Sequence, residues 1–255
     1  TLSTLDLEPQ GIPRWHLLQP SQLSYDGGAM SLSELCLTAG EPQLCVAAKQ
    51  DKAGNLDASY RLRDLPLALL MTFAGPDLPM RADGTLGGSG SIRRNAAGAL
   101  SGSASITSPR GTITYVDRAD QPLLSYNELA VQAQLSPSSQ SATLHAGLND
   151  GGRVDGQLAL NGAQQALGGQ LELHLNNLKF IELFTNEVAD VKGAANGSFR
   201  FGGTLAQPLV AGQATVTGFA AEVPSAGLKL AQGQLTVSTT DARQFLIGGS
   251  VQSGK

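Results

Sequence analysis

The sequence predicts an almost all-β protein, an elongated and repetitive sheet curled so that one apolar face forms a groove. Three observations predict it. Apolar and polar residues alternate with period two along most of the chain, as a half-buried strand requires. The composition is rich in turn and strand formers, with 31 glycines among 255 residues. Charged residues make up only 15% and aromatics only 5%, whereas 41% are apolar, which excludes the polar, highly charged signature of disorder. Glycine does not recur at every third position, which excludes collagen.

Alternation is clear in Leu100–Ile106, Leu129–Leu135, Gly156–Leu160, Leu171–Leu175, Ser198–Phe201 and Gln234–Ser238. Runs of this kind suggest about fifteen strands. They are separated by turn signals such as Asp83-Gly84, Asn149-Asp-Gly-Gly152 and Asn161-Gly162. Each strand has one face of Leu, Val, Ile, Phe, Ala or Gly and another of Ser, Thr, Gln and Asn. Two segments have helical spacing instead. Asp64–Ala74 is expected to form a short helix with Asp64 as a possible cap and Pro66 in its first turn. Asn177–Asn186 has the same character, capped by Asn177.

These segments locate an internal repeat of roughly 110 residues. Placing Leu65 on Leu178 brings Asp77 to Asp190, Leu78 to Val191, Asp83 to Asn196, Gly84 to Gly197 and Leu86 to Phe199. The expected organisation is therefore residues 1–63 as the strand-rich end of a preceding unit, 64–176 as one unit and 177–255 as a second. One continuous sheet would run through all three.

Cys36 and Cys45 flank a Gly-Glu-Pro turn and suit two antiparallel strands with the sulfurs facing each other. A disulfide is expected, with two buried free thiols as the alternative. One cysteine pair without nearby histidine falls short of a zinc set. The net charge of −4 and the absence of any basic run beyond Arg93-Arg94 argue against nucleic acid. No apolar run approaches the about 20 residues that span a bilayer. The N-terminus has no signal-peptide pattern, and the chain starts without Met, so it reads as an excerpt of something longer.

No residues point to catalysis or to a cofactor. His16, His145 and His174 are scattered, outside any metal or nucleophile motif. Gly87-Gly-Ser-Gly90 lacks the helix and Lys-Ser/Thr of a phosphate loop, so strand or turn glycine is expected there. The acidic residues lie near turns, and Asn196-Gly-Ser198 matches a glycosylation sequon inside a repeated strand-entry turn.

A one-sided sheet must cover its apolar face. Two sheets could pack face to face, or one sheet could curl around its own apolar side, its groove either filled by its own side chains or, with so few aromatics, left as a smooth trough. About fifteen strands at ~4.8 Å spacing would make a trough some 70 Å long. Acyl chains would fit such a surface, at about 0.8 kcal/mol per CH₂ buried.

The repeated units resemble the TamB family. Val191-Lys-Gly-Ala-Ala-Asn-Gly-Ser-Phe-Arg-Phe-Gly-Gly-Thr-Leu-Ala-Gln-Pro-Leu-Val-Ala-Gly212 is similar to the family's glycine-spaced line ending in G-T-L-x-x-P-x-x-x-G. Ala221-Glu-Val-Pro-Ser-Ala-Gly-Leu-Lys-Leu230 resembles the element that follows it, and Asp64–Leu70 the family's helical insertion. The Leu35-Cys36 and Leu44-Cys45 hairpin is similar to a paired-cysteine segment, although Leu37 stands where the family often has Trp. The resemblance implies an internal or C-terminal-half piece of a protein anchored in the inner membrane of a Gram-negative bacterium and crossing the periplasm. It implies engagement of a TamA-like outer-membrane barrel through regions outside this segment. It also implies likeness to AsmA-like and bridge-like lipid transporters, whose curled sheet forms a groove (a β-taco). The expected function is a phospholipid conduit between the two membranes. The competing expectation is a scaffold that chaperones outer-membrane β-barrel proteins and autotransporters. A carbohydrate-active enzyme would need clustered carboxylates that these charge-poor strands lack. The expected groove lining, holding phospholipid acyl chains, is Leu158, Leu160, Leu171, Leu173, Leu175, Phe199, Phe201, Val216, Leu235, Val237, Phe245 and Ile247.

Overall fold

The computed structural model describes residues 1–8, 13–74, 80–116, 122–185, 187–241 and 244–254. Within them are seventeen strands, and each pairing whose register is defined is antiparallel. The mostly-β fold class is thus as expected. The strands form two compact units. One holds Thr1–Gly111 with Ala130–Ala142, and the other Thr112–Leu129 with Thr143–Lys255.

The first unit contains β1 (Asp6–Leu7), β2 (Trp15–Leu17), β3 (Leu23–Asp26), β4 (Ala29–Thr38), β5 (Gln43–Gln50), β6 (Leu56–Pro66), β7 (Met80–Arg94) and β8 (Leu100–Ser108). From β4 to β8 each strand pairs with the next in sequence. β4 is long enough to pair with β3 through Leu32 and with β2 through Leu37 and Thr38. The second unit holds β9 (Gly111–Tyr115) from Thr112 onward, β12 (Arg153–Asn161), β13 (Ala166–Leu175), β14 (Ala189–Gly203), β15 (Pro208–Val223), β16 (Leu228–Asp241) and β17 (Gln244–Gly254). β10 (Pro122–Ser136) and β11 (Ser139–Leu148) contribute residues to both units.

Each helical segment sits at one end of its unit's apolar face. Helix α1 covers Leu67–Ala74, later than expected, because Leu65 and Pro66 still pair with Leu86 and Thr85. Asp64 is no cap: it occupies a left-handed conformation (φ 48°) where β6 slips register between Leu62 and Leu65, a conformation that Asp tolerates better than most residues. Leu67 and Leu69 join a core built on buried Trp15, Leu37, Leu65 and Leu86. In the second unit the expected helix is a 3-10 turn, Lys179–Leu183. Its N-cap position is Leu178, not Asn177, although the Asn177 side-chain oxygen, one residue earlier, accepts the Lys179 N–H at 2.8 Å. Glu182 within this turn is buried and accepts the Val191 N–H at 2.9 Å. β14 changes register between Ala189 and Lys192, and a bulge of this kind leaves an N–H outside the ladder.

The two units share a further device. Gly84 in β7 and Gly193 in β14 have φ of 132–133°, and each is the fifth residue of a 15-residue strand whose exposure alternates in nearly the same order. This equivalence pairs Gly84 with Gly193, four residues from the register expected from the helices. It also places Asp83-Gly84 inside a strand, not in a turn. Asp77 and Leu78 of the expected repeat lie outside the described residues.

Candidate functional site: the apolar sheet face

Cross-strand partners share a face of a sheet and alternate residues along a strand return to it. In the second unit these rules bring together all twelve residues expected to line a groove. Leu158 and Leu160 oppose Gly169 and Leu167, while Leu171 and Leu173 oppose Gly156 and Val154. Across the next boundary Leu171 meets Phe199, Gly169 meets Phe201 and Leu175 meets Ala195. Ala195 meets Val216, Val216 meets Leu235, and Val237 meets Ile247. Phe245 lies two residues from Ile247 on the same strand face. Leu175 is buried, most of the others are half-buried, and Leu158, Phe245 and Ile247 are exposed. On the opposite face Gln157, Gln170, Glu172, Ser198, Arg200, Gln213, Thr215, Gln234 and Thr236 are exposed.

The first unit carries a second apolar face that the expected lining left out. Four cross-strand rows compose it. Leu37, Leu44, Leu62, Gly88 and Ile106 form the first, which is packed into the Trp15 core. Leu35, Val46, Tyr60, Gly90 and Ala104 form the second, and Leu32, Ala48, Ala58, Ile92 and Gly102 the third. Tyr25, Met30, Gln50, Leu56, Arg94 and Leu100 form the outermost. Val46, Tyr60, Gly90 and Ala104 of the second row and Leu32, Ala48, Ala58 and Ile92 of the third, with Ala133 and Leu135 of β10, line a groove of about 510 Å³, within the range of ligand-sized clefts. Tyr60 lies over Gly90, where a Cβ would stand 2.5 Å from its ring, and its hydroxyl donates to the Ser105 carbonyl at 3.3 Å. Alternation in Leu129–Leu135 was the sequence signal for part of this face. Elsewhere Ala and Gly blur the contrast that makes period two visible.

The outward face of the first unit carries the cysteines and the charge. Cys36 and Cys45 are directly opposed in β4 and β5 and form a disulfide, both residues buried. Glu34 lies beside them, but the bonded sulfurs leave no thiolate for a metal. Arg61 pairs with Glu34, Arg93 with Asp57 at 2.7 Å and Lys52 with Asp26 at 3.0 Å. In the second unit Lys229 pairs with Glu222 at 2.6 Å, which raises the lysine's pKa.

The histidines do not assemble a reactive group. His145 bonds through Nδ1 to Asp155 at 2.6 Å and faces Glu128 at 3.7 Å through Nε2. The Asp155 hydrogen bond, then the charges of Asp155 and Glu128, raise its pKa. Its second nitrogen thus faces a carboxylate, whereas nucleophilic catalysis would need a hydroxyl or thiol there. His174 bonds to the Asn196 side chain. The Gly87–Gly90 segment lies within β7.

Fold and face together define a class: an antiparallel β protein in which each unit has a half-exposed apolar sheet face backed by a polar one. The family model described as "TamB, N-terminal domain" matches residues 1–216, and the chain belongs to the TamB family. That description names the family's N-terminal domain, so the match does not extend to the C-terminal-half position implied by the resemblance. No solved structure matches the chain. Among the described residues no helix is long and apolar enough to cross a membrane.

Proposed function

We propose that this chain is a segment of a hydrophobic conduit that carries phospholipids through the periplasm between the inner and outer membranes. The observation that carries the reading is the second unit's apolar face, which passes from strand to strand between β12 and β17 through the regularly paired stretches and is mostly half-buried. A filled core would hide these side chains; a surface for acyl chains leaves them available, each buried CH₂ contributing about 0.8 kcal/mol. TamB family membership supports a role in translocation and assembly or in bridge-like lipid transport. Transport here needs no chemistry, only diffusion along an apolar track, which agrees with a non-catalytic family. The parent protein would be anchored in the inner membrane and meet a TamA-like outer-membrane barrel through regions beyond this segment.

One observation favours the scaffold reading. β17 is exposed along its whole length, including Phe245, Leu246 and Ile247, and an exposed strand can template pairing with an unfolded β-protein.

Photo-crosslinkers at Leu173, Phe199 and outward-facing Thr236 separate the two. The conduit predicts lipid adducts at Leu173 and Phe199 and none at Thr236, with Phe199→Asp blocking lipid passage. Protein adducts at β17 without lipid at either inward position would replace the conduit with the scaffold.

A further inference from the structure

The outermost row of the first unit's apolar face contains a cation. Arg94 stands opposite Leu56 on β6 and Leu100 on β8, two residues along β7 from Ile92 in the groove. Alternate strand residues share a face, so Arg94 belongs to the apolar side, whereas its neighbour Arg93 belongs to the polar side and is paired with Asp57. Arg94 is exposed, and its guanidinium makes no hydrogen bond or ion pair with any described residue. The rest of its row is Tyr25, Met30, Gln50, Leu56 and Leu100, so no carboxylate shares the row. The carboxylate of Asp51, in the nearby turn, is occupied by Asn55, which donates its backbone N–H at 2.9 Å and its side-chain amide at 2.7 Å. An unpaired guanidinium at the rim of an apolar groove calls for an amphiphile with an anionic end.

We propose that Arg94 anchors the headgroup of a phospholipid whose acyl chain lies in the groove beside Ile92, its guanidinium hydrogen-bonding the phosphodiester oxygens. This assignment rests on the conduit reading and adds to it a fixed polar end, with the first unit holding the lipid tail-in and phosphate-out. A guanidinium suits the task because its planar donors match two phosphate oxygens at once and stay charged at any physiological pH. The contact is solvent-exposed, so it acts on selectivity more than on total affinity.

The test measures binding of fluorescent-acyl phosphatidylglycerol and of diacylglycerol with the same chains to the full 255-residue chain in low salt. The wild-type chain should prefer the phospholipid by roughly fivefold, and the preference should shrink in 1 M salt, where the Debye length is about 3 Å. Arg94→Gln should bring the ratio to about one, while Arg93→Gln, on the opposite face, should leave it as in the wild type. Because Arg94 contacts no described partner, the melting temperature should not move with its substitution. A phospholipid preference unchanged in Arg94→Gln would overturn the assignment and leave the conduit standing. Failure of the wild-type chain to bind either lipid would overturn the conduit, and this assignment with it.

Discussion

Glu182 shows how a single side chain sustains a strand irregularity. The β14 bulge releases the Val191 N–H, and both residues are buried, so water cannot replace the carboxylate that accepts it. Leaving such a donor unsatisfied costs about 1–3 kcal/mol. Glu182→Leu should therefore lower stability by about that amount in denaturant unfolding, while Glu182→Gln, which keeps an acceptor oxygen, should lose less. His145 offers a second test at this scale. Its raised pKa, due first to the Asp155 hydrogen bond, means that the folded chain binds the proton more tightly than the unfolded chain. The resulting stabilisation is fully present below the ordinary histidine pKa of about 6.5 and disappears as pH rises through the higher folded value. NMR titration should place the His145 midpoint above about 6.5, and Asp155→Asn should lower it. A wild-type midpoint at or below the ordinary value would show that the Asp155 contact does not form in solution.

Strands and hairpins decide how much of this was legible. The β4–β5 hairpin was readable from two cysteines about a turn, because direct opposition at Cys36 and Cys45 needs only correct register. Closing so short a loop constrains the unfolded chain by about 2–3 kcal/mol in the chain-entropy account, so reduction should lower the unfolding midpoint accordingly, as should Cys36→Ser with Cys45→Ser. That the twelve residues expected to line a groove share one sheet face was readable because period two runs through the paired stretches of β12 to β17. The first unit's groove was not, since Gly88, Gly90 and Gly102 present no side chain to alternate and the register slip at Asp64 interrupts β6. The helix at Asp64–Ala74 was legible by its spacing, yet its start was not, because Leu65 pairs as strand with Leu86. Glycine itself has a stricter role than turn formation. At Gly212, opposite Phe199, φ is 158° and a Cβ would come within 2.2 Å of the Ser198 carbonyl and 2.9 Å of the Phe199 ring. Gly212→Ala should cost about 2–4 kcal/mol through backbone strain and displacement of that ring, measured as a loss of midpoint without loss of β content.

Taken over the whole chain, the balance of the two sheet faces is unusual for a soluble protein. Ordinary monomers expose apolar patches of a few hundred Å² at most, and large apolar side chains are normally hidden against a second layer. Here fully buried apolar residues concentrate at the capped ends, around Trp15 and Leu65 in one unit and Leu175, Leu178 and Val191 in the other. Leu171, Leu173, Phe199, Phe201, Leu235 and Val237 remain only half-buried. Cross-strand neighbours flank them in the sheet, and ladder hydrogen bonds keep the register. The native chain should therefore bind a solvatochromic apolar dye without any loss of far-ultraviolet β signal, unlike a partly unfolded state, in which dye binding comes with lost tertiary packing. Leu235→Asp, which places a charge in the middle of the face, should reduce that binding, whereas Thr236→Asp on the adjacent outward position should leave it unchanged. Equal effects of the two substitutions would mean that the dye does not distinguish the faces, and that the one-sidedness seen in the register has no counterpart in solution.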